Sequence, residues 1–199
     1  NLWFFCRMLT YFFLTLIFAF TTILTFAQTS EHLSFKGVPI DGTLSVYISK
    51  MKQSGFTYIK TEDGVAMLKG DFASYKGCIV GVATVKGKDL VSKITVIFST
   101  QDSWSMLSSN YFNLKEMLTE KYGEPSESIE EFSSYEPEDD GLKMTQVHLD
   151  ACKYFTTYKT DKGDIQLSIK GDISSAFVVL AYYDKINSEI IRKKAKDDL

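Results

Sequence analysis

The hydrophobic positions of this chain change period several times, and each change marks an element. From Asp102 to Pro125 the residues Trp104, Leu107, Tyr111, Leu114 and Leu118 recur every three or four positions. That spacing puts them on one face of a helix. Asp102 or Ser103 stands where an N-cap side chain is needed. Gly123 and Pro125 follow the last periodic residue and stop the helix. Ser109 and Lys115 fall on its opposite face, which should be wet. Residues 90–98 alternate instead, with Leu90, Ser92, Ile94, Val96 and Phe98 set against Val91, Lys93, Thr95 and Ile97. Period two is a strand, and Lys93 and Thr95 leave one of its faces polar, as antiparallel sheets allow.

The rest of the chain reads in the same way. The lead-in FKGVPIDGT, residues 35–43, delivers a helix capped by Thr43. Leu44, Tyr47, Ile48 and Met51 form its apolar face and Gly55 closes it. Residues 56–61 and 65–69 predict a hairpin around Glu62-Asp63-Gly64, and 78–86 and 90–98 a second around Gly87-Lys88-Asp89. Beyond the long helix, 129–135 reads as an edge strand and 136–141 as a turn. Four more strands follow at 142–149, 151–159, 164–170 and 175–183, then a short helix from about 185 to 196. This order predicts an α+β fold over residues 28–199, a largely antiparallel sheet with helices on one face. Gly55 and Gly123 each end a helix, and Glu62-Asp63-Gly64 and Asp139-Asp140-Gly141 each mark a turn. Two αβ units in tandem, 35–99 and 102–184, are therefore a candidate arrangement.

Residues 1–27 stand apart from this pattern. Arg7 is the only charge before Glu31, and Met8 to Ala27 is an apolar run. Thr25-Phe26-Ala27 has the small-x-small form of a signal peptidase site, which makes Gln28 the expected mature N-terminus. An uncleaved anchor is the alternative, since about 20 apolar residues span a bilayer. Either way the domain is expected outside the cytoplasm, in the periplasm or the extracellular space, and it touches the membrane only if the segment stays attached. Residues 28–34, with His32, are polar and expected to be frayed.

Charge narrows the function classes. The chain carries 22 Lys and Arg against 25 Asp and Glu, a net charge of −3, and losing Arg7 makes it more negative. A nucleic-acid partner is not expected, because that needs a concentrated positive surface. Cys6 leaves with the leader, so Cys78 and Cys152 remain. In an exported chain they are a candidate disulfide, and two buried thiols are the other reading.

Candidate chemistry is sparse. Between Glu124 and Asp140 there are eight acidic residues and no Lys or Arg. Glu136-Pro137-Glu138-Asp139-Asp140-Gly141 starts like a calcium loop, but Val147 occupies the twelfth position, where a bidentate carboxylate is required. A solvated loop is the better reading. His32 and His148 belong to no metal-ligand spacing, and His148 falls in an expected strand. Ser49 and Lys52 match S-x-x-K without the motifs that complete such a site, and Ser49 lies mid-helix. Phosphate- and dinucleotide-binding loops are missing from the sequence, so neither a metal nor a cofactor is expected. Phe155, Tyr154, Tyr158, Phe177, Tyr182 and Tyr183 enrich the last strands. Alternation separates Phe155 from Tyr154 and Tyr158, and Tyr154, Tyr158 and Tyr182 are the candidate partner contacts.

The signal ending in Ala-Gln, FKGVPIDGT, the helix closing in KYGEP and the strand ending in DKIN resemble small secreted proteins of Bacteroides-type bacteria. That resemblance covers most of the mature chain and brings no catalytic residues. The helix-plus-four-strand halves are similar, at the level of fold, to the tandem β-lactamase inhibitor proteins, which implies work by binding. The expected function is an exported, non-catalytic binding module for a protein or glycan of the cell envelope. An enzyme is the runner-up, a hydrolase drawing carboxylates from residues 124–140.

Overall fold

Two helix-and-strand units follow one another and join into one sheet in the computed structural model, which describes residues 31–197 except Lys86 and Ser134. The first has a small hairpin, β1 (Ser34–Phe35) and β2 (Val38–Pro39), then α1 (Leu44–Gln53). Strands β3 (Thr57–Glu62), β4 (Val65–Phe72), β5 (Tyr75–Thr84) and β6 (Val91–Ile97) complete it. The second runs α2 (Trp104–Tyr122), β7 (Glu127–Phe132), α3 (Asp140–His148), β8 (Cys152–Thr160), β9 (Gly163–Gly171), β10 (Ala176–Asp184) and α4 (Lys185–Asp197).

The strand order is β3-β4-β5-β6-β10-β9-β8-β7, and every neighbouring pair is antiparallel. Each unit is thus a helix followed by four antiparallel strands, with α3 inserted between β7 and β8 in the second, and the final strands of the two meet at the centre. Val96 faces Leu180 and Ile94 faces Tyr182 across that seam. The α+β class and the antiparallel sheet are as expected from the sequence.

One face of the sheet carries the core. Leu68, Val80, Val96, Leu180 and Leu167 form a continuous row across five strands, each at most 1% exposed. Helix α2 covers the second unit. Its cap is Ser103, whose side chain accepts from the Met106 N–H, and its five periodic residues are all buried. Trp104 packs 5.0 Å from the rings of both Phe132 and Tyr154, and the Tyr111 hydroxyl lies 2.6 Å from Thr156 Oγ1. Lys115 does not point to open water as expected. It is partly covered and pairs with Glu130 of β7.

The expected strand over 142–149 is instead helical through His148, with Leu149 as the C-cap. The Asp139 side chain caps α3 by accepting from the Leu142 N–H at 3.0 Å, and Met144 and Val147, three apart, face inward. Asp140 accepts from the Trp104 and Ser105 N–H groups, at 2.9 and 2.8 Å, so the start of α3 also caps α2. The two carboxylates satisfy orphan donors of two helices, which outweighs the weak alternation that suggested a strand. His148 ends α3 and bonds the Asp172 carbonyl through Nδ1. Much of the acidic stretch is ordered too. β7 is the edge strand, paired only with β8, and Glu127, Glu130 and Glu131 line it. Charge on an edge discourages pairing with another chain.

Two further expectations need correction. Cys78 and Cys152 are both free and buried, on β5 and β8. Three strands separate them, about 19 Å at ~4.8 Å per strand, whereas a disulfide needs Cα atoms within about 7 Å. Tyr154, Tyr158 and Tyr182 are 8%, 1% and 4% exposed on the helix-covered face, so none is a free surface contact. Alternation separated them correctly from Phe155, but it does not say which side the helices take. The expected leader, 1–27, lies outside the described residues.

Candidate binding face

The side of the sheet away from α1, α2 and α3 is built from the alternate residues of the same strands. Ile79, Ile97, Val179, Ser168, Phe155 and Ile129 cross it as one row from β5 to β7. All six are half-buried. The parallel row through Gly81, Thr95, Ala181 and Gln166 is lower, because its central side chains are small. A third row, Ala83, Lys93, Tyr183, Asp164 and Lys159, is charged. The result is a shallow trough with an apolar bank and a polar bank.

Gly81 has no structural need to be glycine. A Cβ placed there would meet nothing nearer than Val65 Cγ1 at 3.7 Å, an ordinary contact, and its φ is not left-handed. A strand glycine costs roughly 0.5–1 kcal/mol relative to alanine, and often marks close approach of a ligand or another backbone. Gly70 differs: a Cβ there would come 2.4 Å from the Phe56 ring, so packing explains it. The contrast leaves the floor of the trough as the glycine that the fold itself does not require.

The polar bank runs into a basin of about 370 Å³ at the end of the sheet, where α4 stands. Tyr183, Lys159 and Asp164 line it from the strands, and Lys185, Ser188 and Arg192 from the helix. Lys93 Nζ lies 4.7 Å from the Tyr183 ring centre, a cation–π contact that holds the aromatic plane in place. An aromatic ring flanked by mixed charges and hydroxyls can stack on a sugar or a peptide while polar groups bond its edges.

Four of the eight carboxylates offered for hydrolysis are engaged in the fold. Asp139 and Asp140 cap helices, Glu136 pairs with Lys143 and Glu130 with Lys115. Among the described residues, no group of three His, Cys, Asp or Glu is arranged to hold a metal ion. Ser49 is exposed and bonds back to the Ser45 carbonyl at 3.0 Å, while Lys52 Nζ lies 5.6 Å from the Tyr58 ring. The strongly shifted groups belong to the covered side. Burial pushes the Tyr154 phenol and the Cys152 thiol each up to about 12, and raises Tyr47, Tyr111 and Tyr182 further. Desolvation is the largest cause in each, so packing keeps these groups neutral.

Sequence reasoning missed one buried polar cluster. Asp184 is fully buried, and its carboxylate accepts from the Leu33 and Asn187 N–H groups at 2.8 and 2.9 Å. His32 Nδ1 lies 3.0 Å from it, so residues 32–33 are tied down, not frayed. Asn187 Nδ2 donates to the Ile40 and Val91 carbonyls, closing the cluster. The readable signal was Asp184 three residues before Asn187, an N-cap placement for the last helix.

Comparison with protein families, with curated proteins and with solved structures gives no match. The functional reading therefore stands on the residues of this chain. Among the described residues no helix is long and apolar enough to cross a membrane.

Proposed function

We propose that the protein is an exported, non-catalytic binding module that holds a protein or glycan of the cell envelope on the uncovered face of its sheet. The observation that carries this is the half-buried row from Ile79 to Ile129, a strip that is apolar except at Ser168, spans both units and has no helix over it among the described residues. Contiguous exposed apolar surface rimmed by polar groups marks interaction sites. Gly81 supports the same reading by keeping the floor low where no packing asks for it. The leader supports export through its apolar run and its Thr25-Phe26-Ala27 exit.

The test uses a variant that fills the trough without disturbing the core. Gly81→Phe should fold at least as well as the wild type, since a β-forming residue replaces a strand glycine whose added Cβ would meet only ordinary contacts. Immobilised wild type and Met106→Ala, changed on the exposed side of α2, should retain the same partner from an envelope extract. Gly81→Phe should lose it. Equal retention by the wild type and both variants would place the partner elsewhere. Intact mass of the native protein reads the export step, and a mature chain beginning at Gln28 is expected.

A further inference from the structure

A second concavity lies on the opposite side of the sheet, where the two units meet beneath their helices. It holds about 160 Å³. The end of β4 supplies Phe72 and Ala73, α2 supplies Leu114, Leu118 and Tyr122, and β10 supplies Tyr182. A cavity of about 150 Å³ with a comparable apolar lining accepts a benzene molecule. The space therefore suits one ring or a chain of about six carbons.

Two polar groups make this more than a packing gap. Tyr182 is 4% exposed, and its hydroxyl has no hydrogen-bond partner among the described residues. Every enclosed side-chain oxygen or nitrogen of the described residues does have a partner. The phenol oxygen of so buried a ring therefore keeps some accessible surface, and the ring lines this cavity. A buried tyrosine hydroxyl ordinarily finds a partner, so this donor is left for something else. Lys121 also lines the cavity, is in no ion pair among the described residues, and lies with Nζ 4.9 Å from the Tyr122 ring. The Tyr122 phenol is in turn near enough to Tyr182 to add to the rise that burial imposes on it. A cation and two phenols thus share one apolar cavity.

The wall opposite α2 is a strained turn. Ala73 and Ser74 have φ of 49° and 68°, a left-handed pair for which hairpins normally use Asn-Gly. Strain of this kind persists where surrounding structure demands it and clusters at ligand sites. Here it sets a small alanine against the cavity, where a larger side chain would occupy the space.

We propose that this cavity binds a small apolar monocarboxylate. The ring or chain sits among Phe72, Leu114 and Leu118, and the carboxylate takes the Lys121 ammonium and the Tyr182 hydroxyl. No bond is made or broken. The site is independent of the sheet face proposed for the macromolecular partner, so each can fail without the other.

Phenylacetate is the probe, with neutral 2-phenylethanol as its control. The readout is the methyl NMR signal of Met117, which lines the cavity. Met67, on the uncovered face, reports binding elsewhere. Phenylacetate should shift Met117 saturably below about 10 mM and leave Met67 in place. Lys121→Gln, on a solvent-exposed residue, should weaken phenylacetate by about tenfold and leave 2-phenylethanol within about twofold. Tyr182→Phe, with the ring kept, should weaken phenylacetate by at least about threefold at unchanged melting temperature. A Met117 signal that neither compound moves overturns the site. Shifts confined to Met67, or phenylacetate affinity that Lys121→Gln leaves unchanged, overturn it as well.

Discussion

Val178 and Val179 are neighbours on β10, yet Val178 is 1% exposed beneath the helices and Val179 is half-buried on the uncovered side. The same contrast repeats on β6, where Val96 is sealed and Ile97 is not. Both faces are apolar at the centre of the sheet, so residue type alone does not divide them. What divides them is the partner. Trp104, Tyr111 and Leu118 of α2 complete one face, and among the described residues no helix lies over the central strip of the other. A chain that needed only a core could have made the second face polar, because an antiparallel sheet tolerates water on one side. Keeping it apolar across both units is the reason to read it as a binding surface.

The comparison is sharpened first by removing the largest side chain from the covered face. Trp104→Ala should cost roughly 3–5 kcal/mol, a large share of the 5–15 kcal/mol typical of a domain. Ser109→Ala, on the exposed side of the same helix, should change stability by no more than about 0.5 kcal/mol. Urea denaturation of both variants measures the gap. If the two were equally mild, α2 would not be the lid of the core.

A smaller loss is expected at the joint between α2 and α3. Asp140→Ala leaves the Trp104 and Ser105 N–H groups without their acceptor and should cost about 1–2 kcal/mol, the upper part of the range for helix caps. Asp140→Asn, which keeps one acceptor oxygen, should recover part of it. Thermal melts of the pair give the answer, and no loss in the alanine variant would remove the joint from the account.

The covered face also predicts a chemical silence. With its thiol held up to about 12 by burial, Cys152 carries almost no thiolate at pH 8, and Cys78 is raised in the same direction. Neither should react with a thiol reagent in the native protein at pH 8. Raising the pH to 9, enough to ionise an exposed cysteine, should still leave Cys152 untouched. Denaturant should expose them together, and mass analysis should find no disulfide between them. Rapid native labelling of either would mean that this face opens.

How much of this could be read from the chain depended on how many signals agreed. At α2 the period, a cap at Asp102 or Ser103 and the Gly123 stop agree, and the helix was legible to within a residue at its start. At 142–149 the apolar spacing is short and Thr145 and Val147 are β-branched, so pattern favoured a strand while the caps at Asp139 and Asp140 favoured a helix. The caps won: Asp139 satisfies the start of this helix, and Asp140 ties it to the start of α2. For the tyrosines, period two separated Tyr154 and Tyr158 from Phe155. It carried no information on which set α2 would cover, since that is decided by packing between distant segments. Gly81 could have been noticed as a glycine inside a strand. The unpartnered hydroxyl of Tyr182 could not, because it depends on three elements meeting.

The most direct measurement changes one atom group at two adjacent positions. Valine and threonine have nearly the same shape, so Val178→Thr and Val179→Thr differ only in the face that receives the hydroxyl. Under the helices that hydroxyl has no partner and should cost about 1–3 kcal/mol. On the uncovered side it meets water, and the change should stay within about 0.5 kcal/mol. Paired denaturation curves would show a clear shift for Val178→Thr and almost none for Val179→Thr. Equal losses at both positions would mean that the second face is also sealed in the folded protein, and the surface proposed for a partner would not exist.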